Sequence, residues 1–231
     1  MSVVAVIPVK GRFSLLVWTL DRLMEVNRVD RIVMVGHEEE GQELARLMGA
    51  DWVYHPNFPL GSKYNEGWEY AFNKYDPDHY VFMGASDWMN RDWLPVMTEL
   101  AETYEMVGRN DKYYYNIHPS WNRALHYTGS EVGSCAVIPR RVVRHFEGRP
   151  FNDTMETDLD WSLRANIKDI GGIVHASDDK ESKILSVSCY KWTNAYNFEG
   201  YWNNTAKTTR LGHGTDWLKE NFRDALEMTL W

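Results

Sequence analysis

The sequence predicts an α/β protein, in which a mostly parallel sheet is flanked by helices and a small antiparallel part follows. In residues 1–107, four apolar, β-rich runs alternate with four helix-period segments. This alternation favours parallel pairing, because each helix carries the chain back to the same edge of the sheet. Residues 108–231 are less regular and account for the smaller antiparallel part.

The first half divides into four strand–helix pairs. The run from Val3 to Ile7 is continuously apolar and mostly β-branched, which is typical of a strand buried on both faces. The predicted strands are Val3–Ile7, Arg31–Val35, Trp52–Tyr54 and Tyr80–Met83, and the predicted helices are Ser14–Met24, Gly41–Met48, Asn65–Tyr75 and Arg91–Tyr104. Ligands of such sheets bind beyond the carboxyl ends of the strands. The segments after Ile7, Val35 and Met83 should therefore converge on one cleft.

The second half contains shorter elements. Its predicted strands are Lys112–Ile117, Ser134–Ile138 and Ile173–Ala176, and its predicted helices are Arg140–His145, Asp158–Ile170 and Thr215–Leu226. Residues 190–214 are rich in Trp, Tyr, Asn, Thr and Gly without a clear period, which predicts a loop or lid beside a site. Since we find no repeat, low-complexity tract or linker, we expect a single domain over 1–231.

Composition limits the classes of function. The chain of 231 residues carries a net charge of −8, so it has no global attraction to nucleic acid or anionic lipid. The sequence has two cysteines, which are too few for a disulfide framework, and shows no leader and no long apolar run. We therefore expect a cytoplasmic protein without a membrane segment. Eleven Trp and thirteen Tyr fit either a large core or a surface on which sugars or bases stack.

An acidic stretch opens the helix of the second half. Residues 151–160 hold four acids, and the apolar residues Leu159, Leu163 and Ile167 then recur every four positions. Thr157 and Asp160 have the spacing of a capping box, which would make Asp158 the first helical residue. The helix dipole favours an ionised carboxylate there, and such a group can accept a proton from a substrate hydroxyl. The alternative is that these acids only cap and solvate a surface helix.

Five motifs follow one another in a recognisable order. They are VAVIPVKGR at 4–12, HPNFPLGSKYNEGWEYA at 55–71, FMGASDWMNRDWLPVM at 82–97, GSCAVIPRRVV at 133–143 and TDLDWSLRANIKDIGGIVH at 157–175. In this order they resemble family 2-like glycosyltransferases of the GT-A fold. The resemblance extends from Val3 to about Ala176.

The resemblance implies transfer of a sugar from a nucleotide-diphosphate sugar, such as a UDP-sugar, to an acceptor hydroxyl, with inversion at the anomeric carbon. It assigns the base to Asp158, and gives Asp160 the helix start or an acceptor hydroxyl. Residues 1–107 would form the nucleotide-sugar-binding half and residues 108–231 the acceptor half. The implied donor contacts are Pro8, Lys10, Arg12, Glu38, Lys63, Asn65, Ser86, Asp87 and Lys191. Several have simpler interpretations, since 8–12 can be an ordinary basic turn and 38–40 a solvated loop.

The resemblance also implies a divalent cation, Mn²⁺ or Mg²⁺, but the metal turn departs from the family pattern. Residues 84–87 read GASD, so only Asp87, with the Ser86 hydroxyl, remains as a hard oxygen ligand. The family's late His is absent, which leaves His213 as a candidate ligand and Lys191 as an alternative charge for the diphosphate. Asp87 can instead cap the following helix, and His213 can simply be exposed.

The acceptor and two other classes of function stay open. A basic group at 140–149, with Lys207 and Arg210, could form a groove for DNA, and the acceptor would then be a hydroxymethylated base, as in some phage enzymes. A saccharide, glycolipid or protein acceptor needs no basic groove. A nucleotidyltransferase with a related sheet would want a Gly-rich loop after the first strand, where this chain has only Gly11. A non-catalytic binding module would explain the degenerate metal turn.

Overall fold

The computed structural model describes residues 1–116, 123–129, 132–188, 203, 206–213 and 222. Its larger sheet, here called the main sheet, has seven strands in the order β10-β6-β9-β4-β1-β2-β3. They are β1 Val3–Pro8, β2 Arg31–Gly36, β3 Asp51–Tyr54, β4 His79–Phe82, β6 Met106–Gly108, β9 Ala136–Pro139 and β10 Val174–Ala176. Strand β9 runs antiparallel to both of its neighbours, and the other pairings are parallel. The predicted mostly parallel sheet is confirmed.

Helices cover both faces of the main sheet. They are α1 Phe13–Asp21, which continues as a π-helical turn Arg22–Val26, α2 Glu39–Met48, α3 Leu60–Tyr75, α4 Trp93–Ala101, α5 Arg140–His145 and α6 Leu159–Asp169. One core layer packs α1 and α4 against the sheet, for example through Leu16 and Met97. The opposite layer contains Trp68 of α3 and Leu163 of α6. Apolar residues on both faces of β1 explain its unbroken apolar sequence.

Helix α3 lies unusually close to the main sheet at Gly67. A Cβ atom at this position would lie 2.4 Å from Val35 Cγ2 and 2.6 Å from Val6 Cγ1. The absence of a side chain therefore allows the helix to contact β1 and β2 directly.

A second sheet, here called the side sheet, was largely unforeseen. It has five strands in the order β12-β8-β7-β11-β5, with β7 and β11 parallel and the other pairings antiparallel. Their bounds are β5 Asp87–Met89, β7 Asp111–Asn116, β8 Arg123–Thr128, β11 Ile184–Ser188 and β12 Thr208–His213. Only β7 was predicted, and the expectation of a loop over 190–214 is wrong at β12. These strands are short, and β5 and β11 are far apart in the chain.

The two sheets share both halves of the chain. Strands β9 and β10 come after residue 108 but belong to the main sheet, and β5 comes before it but belongs to the side sheet. The predicted helix Thr215–Leu226 lies outside the described residues, apart from the buried Phe222. Within the described ranges, no helix is long and apolar enough to cross a membrane.

Candidate active site

A cleft of about 500 Å³ opens where the main sheet, the side sheet and the start of α6 meet. Arg12, after β1, and Gly84, after β4, both line it, which confirms that these strand ends converge. No residue that directly follows β2 lines the cleft, so this part of the expectation is wrong. Of the donor and catalytic residues proposed from the sequence, the lining residues are Arg12, Ser86, Asp87, Asp158 and Asp160.

One face of the side sheet forms a wall of the cleft. Ser186 of β11 lies between Asp87 of β5 and Tyr114 of β7 in the strand register. Lys112, two residues before Tyr114, pairs with Tyr127 of β8. Residues two apart in a strand point to the same side, so these five side chains form one continuous polar and aromatic surface.

Asp87 is buried in this wall and surrounded by donors. Its Oδ1 accepts from Lys112 Nζ at 2.8 Å and from the Ser186 hydroxyl, and its Oδ2 accepts from the Gly84 N–H at 3.0 Å. Burial opposes ionisation, but the Lys112 charge and the hydrogen bonds outweigh it and lower the pKa of Asp87. Asp87 begins β5, so the alternative that it caps the following helix is wrong: α4 starts only at Trp93.

The residues around Asp87 do not fit a divalent metal ion. The ammonium of Lys112 already occupies the position beside Oδ1, and like charges repel at this distance. Within the described part of the chain, no group of three or more His, Cys, Asp or Glu side chains could hold a metal. His213 ends β12, and its side chain lies outside the description, as does the whole of Lys191. We therefore derive no chemical step through a metal.

The start of α6 differs from the predicted capping box. Helix α6 begins at Leu159, and Asp158 precedes it in a left-handed conformation with φ 56°. Its carbonyl accepts the first helical bond, from the Ser162 N–H at 3.1 Å. The Thr157 hydroxyl donates to Asp158 Oδ2 at 3.0 Å instead of capping the helix. The exposed Asp158 carboxylate lies at the cleft, where a substrate can reach it.

Asp160 is held more firmly than Asp158. Its Oδ2 accepts from Arg164 Nη1 at 3.2 Å, and the same guanidinium nitrogen also donates to the Val132 carbonyl. Arg164 is buried, so this pair ties the first turn of α6 to the chain before β9. Asp160 is thus suited to positioning the turn that carries Asp158.

Strained backbone occurs at two residues that line the cleft. Among the residues that the structure describes, six non-glycine residues have positive φ, and three of them are Arg12, Cys135 and Asp158. Arg12 and Asp158 line the cleft, and Cys135 follows the lining residue Ser134. Such conformations persist only where the surrounding structure enforces them, and they are frequent at active sites.

A second charged group lies at the rim. Arg109 Nε donates to Asp111 Oδ1 at 2.5 Å, and the His126 Nε2 lies 2.8 Å from Asp111 Oδ2. Burial opposes ionisation of Asp111, but these two partners outweigh it and lower its pKa. Arg109 and Asp111 both line the cleft.

Lys63 and Glu38 do not line the cleft. Lys63 is buried, and its ammonium donates to the Val9 carbonyl and, at 2.7 Å, to Asn57 Oδ1. The Asn57 amide in turn donates to Glu38 Oε1 at 3.0 Å, which helps to lower the pKa of Glu38 despite its partial burial. This polar chain connects the segments that follow β1, β2 and β3.

The amide groups at the start of α3 are already bonded. The Gly61 N–H donates to the Met155 carbonyl at 2.8 Å, and the Ser62 N–H donates to the Asp153 carbonyl at 3.2 Å. These two amides are therefore not available to an anion. Its amides hold residues 151–158, here called the acidic segment.

Asn65 also forms hydrogen bonds with the acidic segment. Its amide donates to the Phe151 carbonyl and to Asp153 Oδ1, each at 2.8 Å, and its Oδ1 accepts from the Phe151 N–H at 3.0 Å. Two other donor contacts proposed from the sequence also do not line the cleft: Pro8 ends β1, and the Lys10 ammonium lies over the ring of Phe58.

The basic residues at 140–149 do not form a groove. Arg140 and Arg144 pair with Asp76 or Asp78, Arg141 pairs with Glu105, and Arg149 pairs with Glu66, Glu69 and Asp153. None of these arginines lines the cleft. They fasten α5 and the following turn to the rest of the fold.

Sequence reasoning missed several residues of the wall, above all Lys112 and Ser186. The alternation of Lys112, Tyr114 and Asn116 in β7 carries a signal, because it places a charge and a phenol on one face. The sequence does not show that this face lines the cleft, since that depends on the pairing with β8 and β11.

Burial of Lys63 predicts a dependence of stability on pH. Desolvation lowers the pKa of Lys63 to about 8, so above this pH the folded protein releases a proton that the unfolded chain keeps until about 10.4. Between these values, stability should rise with pH on account of this group, by on the order of 1–3 kcal/mol. Denaturant unfolding at pH 7.5 and 10 should show a smaller rise in Lys63→Met than in the wild type. Equal rises would contradict this assignment.

Comparison with solved protein structures identifies the type of fold. No family model and no curated protein sequence matches the chain. Solved structures do match: S. aureus TarS 1–349 with a TM-score of 0.55 and 9% identity, and GalNAc-T7 with UDP, GalNAc and Mn²⁺, with a TM-score of 0.53 and 10% identity. The chain has a GT-A-like fold. These matches cover 81% of the chain but only 60% and 44% of those two proteins.

The GT-A-like fold is shared by more than one class of transferase. The inositol-1-phosphate CTP transferase from T. maritima also matches, with a TM-score of 0.51 and 12% identity, over 83% of this chain and 91% of that one. At such low identities the likeness shows the architecture alone. The fold is one that nucleotide-sugar transferases and nucleotidyltransferases share, and it does not specify the reaction.

Proposed function

We propose that this GT-A-like protein is an inverting glycosyltransferase, which moves a sugar from a nucleotide-diphosphate sugar to an acceptor hydroxyl. The observation that carries the proposal is the meeting of an exposed carboxylate, Asp158, with the ammonium of Lys112 in one cleft. Transfer of a sugar needs both groups, because a proton leaves the nucleophile while negative charge develops on the departing diphosphate.

Asp158 is the proposed general base. As the acceptor oxygen forms its bond to the anomeric carbon, its proton passes to the Asp158 carboxylate. The bond from that carbon to the diphosphate breaks on the opposite side, and the diphosphate leaves with the electron pair. The left-handed backbone at Asp158 and the tether of Asp160 to Arg164 hold the carboxylate in the cleft.

Three cations of the cleft support the donor assignment. Arg12 follows β1, Arg109 follows β6, and Lys112 lies at the start of β7. All three line the cleft. These cations can pair with the phosphates of a nucleoside diphosphate, whereas a neutral sugar offers them no charge. Five acids also line the cleft, namely Asp87, Asp111, Glu156, Asp158 and Asp160, so the donor assignment depends on where the cations lie and not on the net charge of the cleft. Residues 1–107 supply only Arg12 among the three cations, so we propose that both halves of the chain contact the donor.

For the acceptor, the charges favour a saccharide over a modified DNA base. The arginines at 140–149 are engaged with carboxylates away from the cleft, and the net charge of the chain is −8. Tyr114 and Tyr127 offer phenol rings on the cleft wall, which suit the apolar face of a sugar ring.

A nucleotidyltransferase is the second candidate, since the T. maritima CTP transferase is of similar length to this chain. That reaction would consume CTP or UTP with a sugar phosphate and release pyrophosphate. A glycosyltransferase would instead release a nucleoside diphosphate from a nucleotide sugar. The two products separate the candidates in a single assay series.

The first experiment is calorimetric titration with UDP and GDP, each with Mn²⁺ and with EDTA. Binding of one nucleoside diphosphate, followed by its release from the matching nucleotide sugar in the presence of saccharide acceptors, supports the proposal. Pyrophosphate release from CTP or UTP would instead establish the second candidate. Binding without any turnover would favour a binding module, and no binding would refute the nucleotide-sugar assignment.

A further inference from the structure

Lys112 is held by two partners in the cleft wall. Its Nζ lies 2.8 Å from Asp87 Oδ1 and 2.5 Å from the Ser134 hydroxyl, so partners from β5 and from the chain before β9 hold it. Its side chain is 16% exposed, and the residue lines the cleft. A fixed ammonium of this kind is preorganised, because it needs no reorientation when a charge develops beside it.

Asp87 is arranged to keep Lys112 in place. The Lys112 charge, helped by the hydrogen bonds from Ser186 and from the Gly84 N–H, holds the carboxylate ionised in spite of its burial. A buried, ionised carboxylate in turn stabilises the charged form of a neighbouring lysine. The carboxylate that would be expected to bind a metal ion therefore serves an internal ion pair.

We propose that Lys112 replaces a divalent metal ion as the cation that meets the donor diphosphate, so that donor binding requires no metal. This inference rests on the proposed function, since it names the group that neutralises the leaving diphosphate. It assigns Asp87 a positioning role through Lys112 instead of a role as a metal ligand. Arg12 and Arg109 are further cations that line the same cleft.

Titration of the whole protein with UDP and GDP tests the proposal. The nucleotide that binds the wild type should do so with the same affinity in EDTA as in Mn²⁺. Lys112→Met should weaken its binding by about 10- to 100-fold, which is the usual effect of losing one charged hydrogen bond. The corresponding nucleoside, uridine or guanosine, should bind both proteins equally, because it carries no phosphate.

Two further variants control for structural damage. Lys168→Met removes an exposed lysine at the end of α6 and should bind like the wild type. Because Lys112→Met leaves Asp87 buried without its ammonium, the double variant Asp87→Asn with Lys112→Met removes both charges. It should unfold at nearly the wild-type temperature and still show the weakened diphosphate binding. Lys112→Arg keeps the charge and should retain most of the affinity.

The outcomes separate this inference from the proposed function. Binding that requires Mn²⁺ and is equal in Lys112→Met and Lys168→Met would overturn the role of Lys112, while leaving a metal-dependent glycosyltransferase intact. An equal loss of uridine and UDP binding in the double variant would also overturn it, since the effect would not involve phosphate. No binding of either diphosphate under any condition would overturn both.

Discussion

Replacing Asp158 with Asn should lower the rate of sugar transfer by about 10²- to 10⁴-fold, the usual contribution of a positioned general base. The amide keeps the size of the carboxylate but cannot take the acceptor proton. Its affinity for the nucleoside diphosphate should stay within about twofold of the wild type, because the donor is held by the cations of the cleft. Steady-state transfer rates and calorimetric titration measure the two quantities.

Asp169→Asn is the matched control for Asp158→Asn. It removes an exposed carboxylate from the other end of the same helix and should change neither quantity. Wild-type transfer by Asp158→Asn would show that another group takes the proton. A parallel loss of nucleotide binding would show that Asp158 acts on the donor instead.

Gly61→Ala should destabilise the protein by about 3 kcal/mol or more, and displace the acidic segment. The new Cβ would lie 1.9 Å from the carbonyl oxygen of Asn152 and 2.9 Å from its carbonyl carbon. Both are backbone atoms, so the start of α3 and the acidic segment must separate, and overpacking of this kind costs 1–3 kcal/mol even where side chains can yield. For a chain of this size, we expect the melting temperature to fall by roughly 6–12 °C.

Gly49→Ala is the control for Gly61→Ala. Gly49 has a positive φ but nothing within 4 Å of its added Cβ, so only backbone strain of about 1 kcal/mol is expected. Gly61→Ala should also slow transfer, because the acidic segment leads directly to Asp158. Equal stability of the two variants would mean that the contact between α3 and the acidic segment yields at little cost.

The main sheet was predictable because its signals are local. Strands β1, β2, β3 and β4 are short apolar runs separated by helical periods, and each was placed within one or two residues. The side sheet was not, because β5 and β11 are three- and five-residue strands whose pairing joins Asp87 to Ser186, 99 positions along the chain. Pairing over such a distance leaves no pattern in a local window.

The candidate site divides in the same way. Asp87 and Asp158 were identified from their motifs, and the structure places both at the cleft. Asn65 and Lys63 have residue types that suit a phosphate site, but their side chains form hydrogen bonds within the protein. Asn65 donates to Phe151, and Lys63 donates to Val9 and Asn57. Lys112 belongs to none of the sequence motifs, although its ammonium lies beside Asp87 in the structure.

The sequence by itself determined the mostly parallel sheet and the acidic start of α6, because local periodicity and residue type encode these features. Only the tertiary structure decided which charges meet. It paired Asp87 with Lys112, turned the amides at the start of α3 toward the acidic segment, and bound the arginines at 140–149 to carboxylates. The physical reason is that an electrostatic partner is chosen by distance in space, which strand register and helix packing set between residues far apart in the chain.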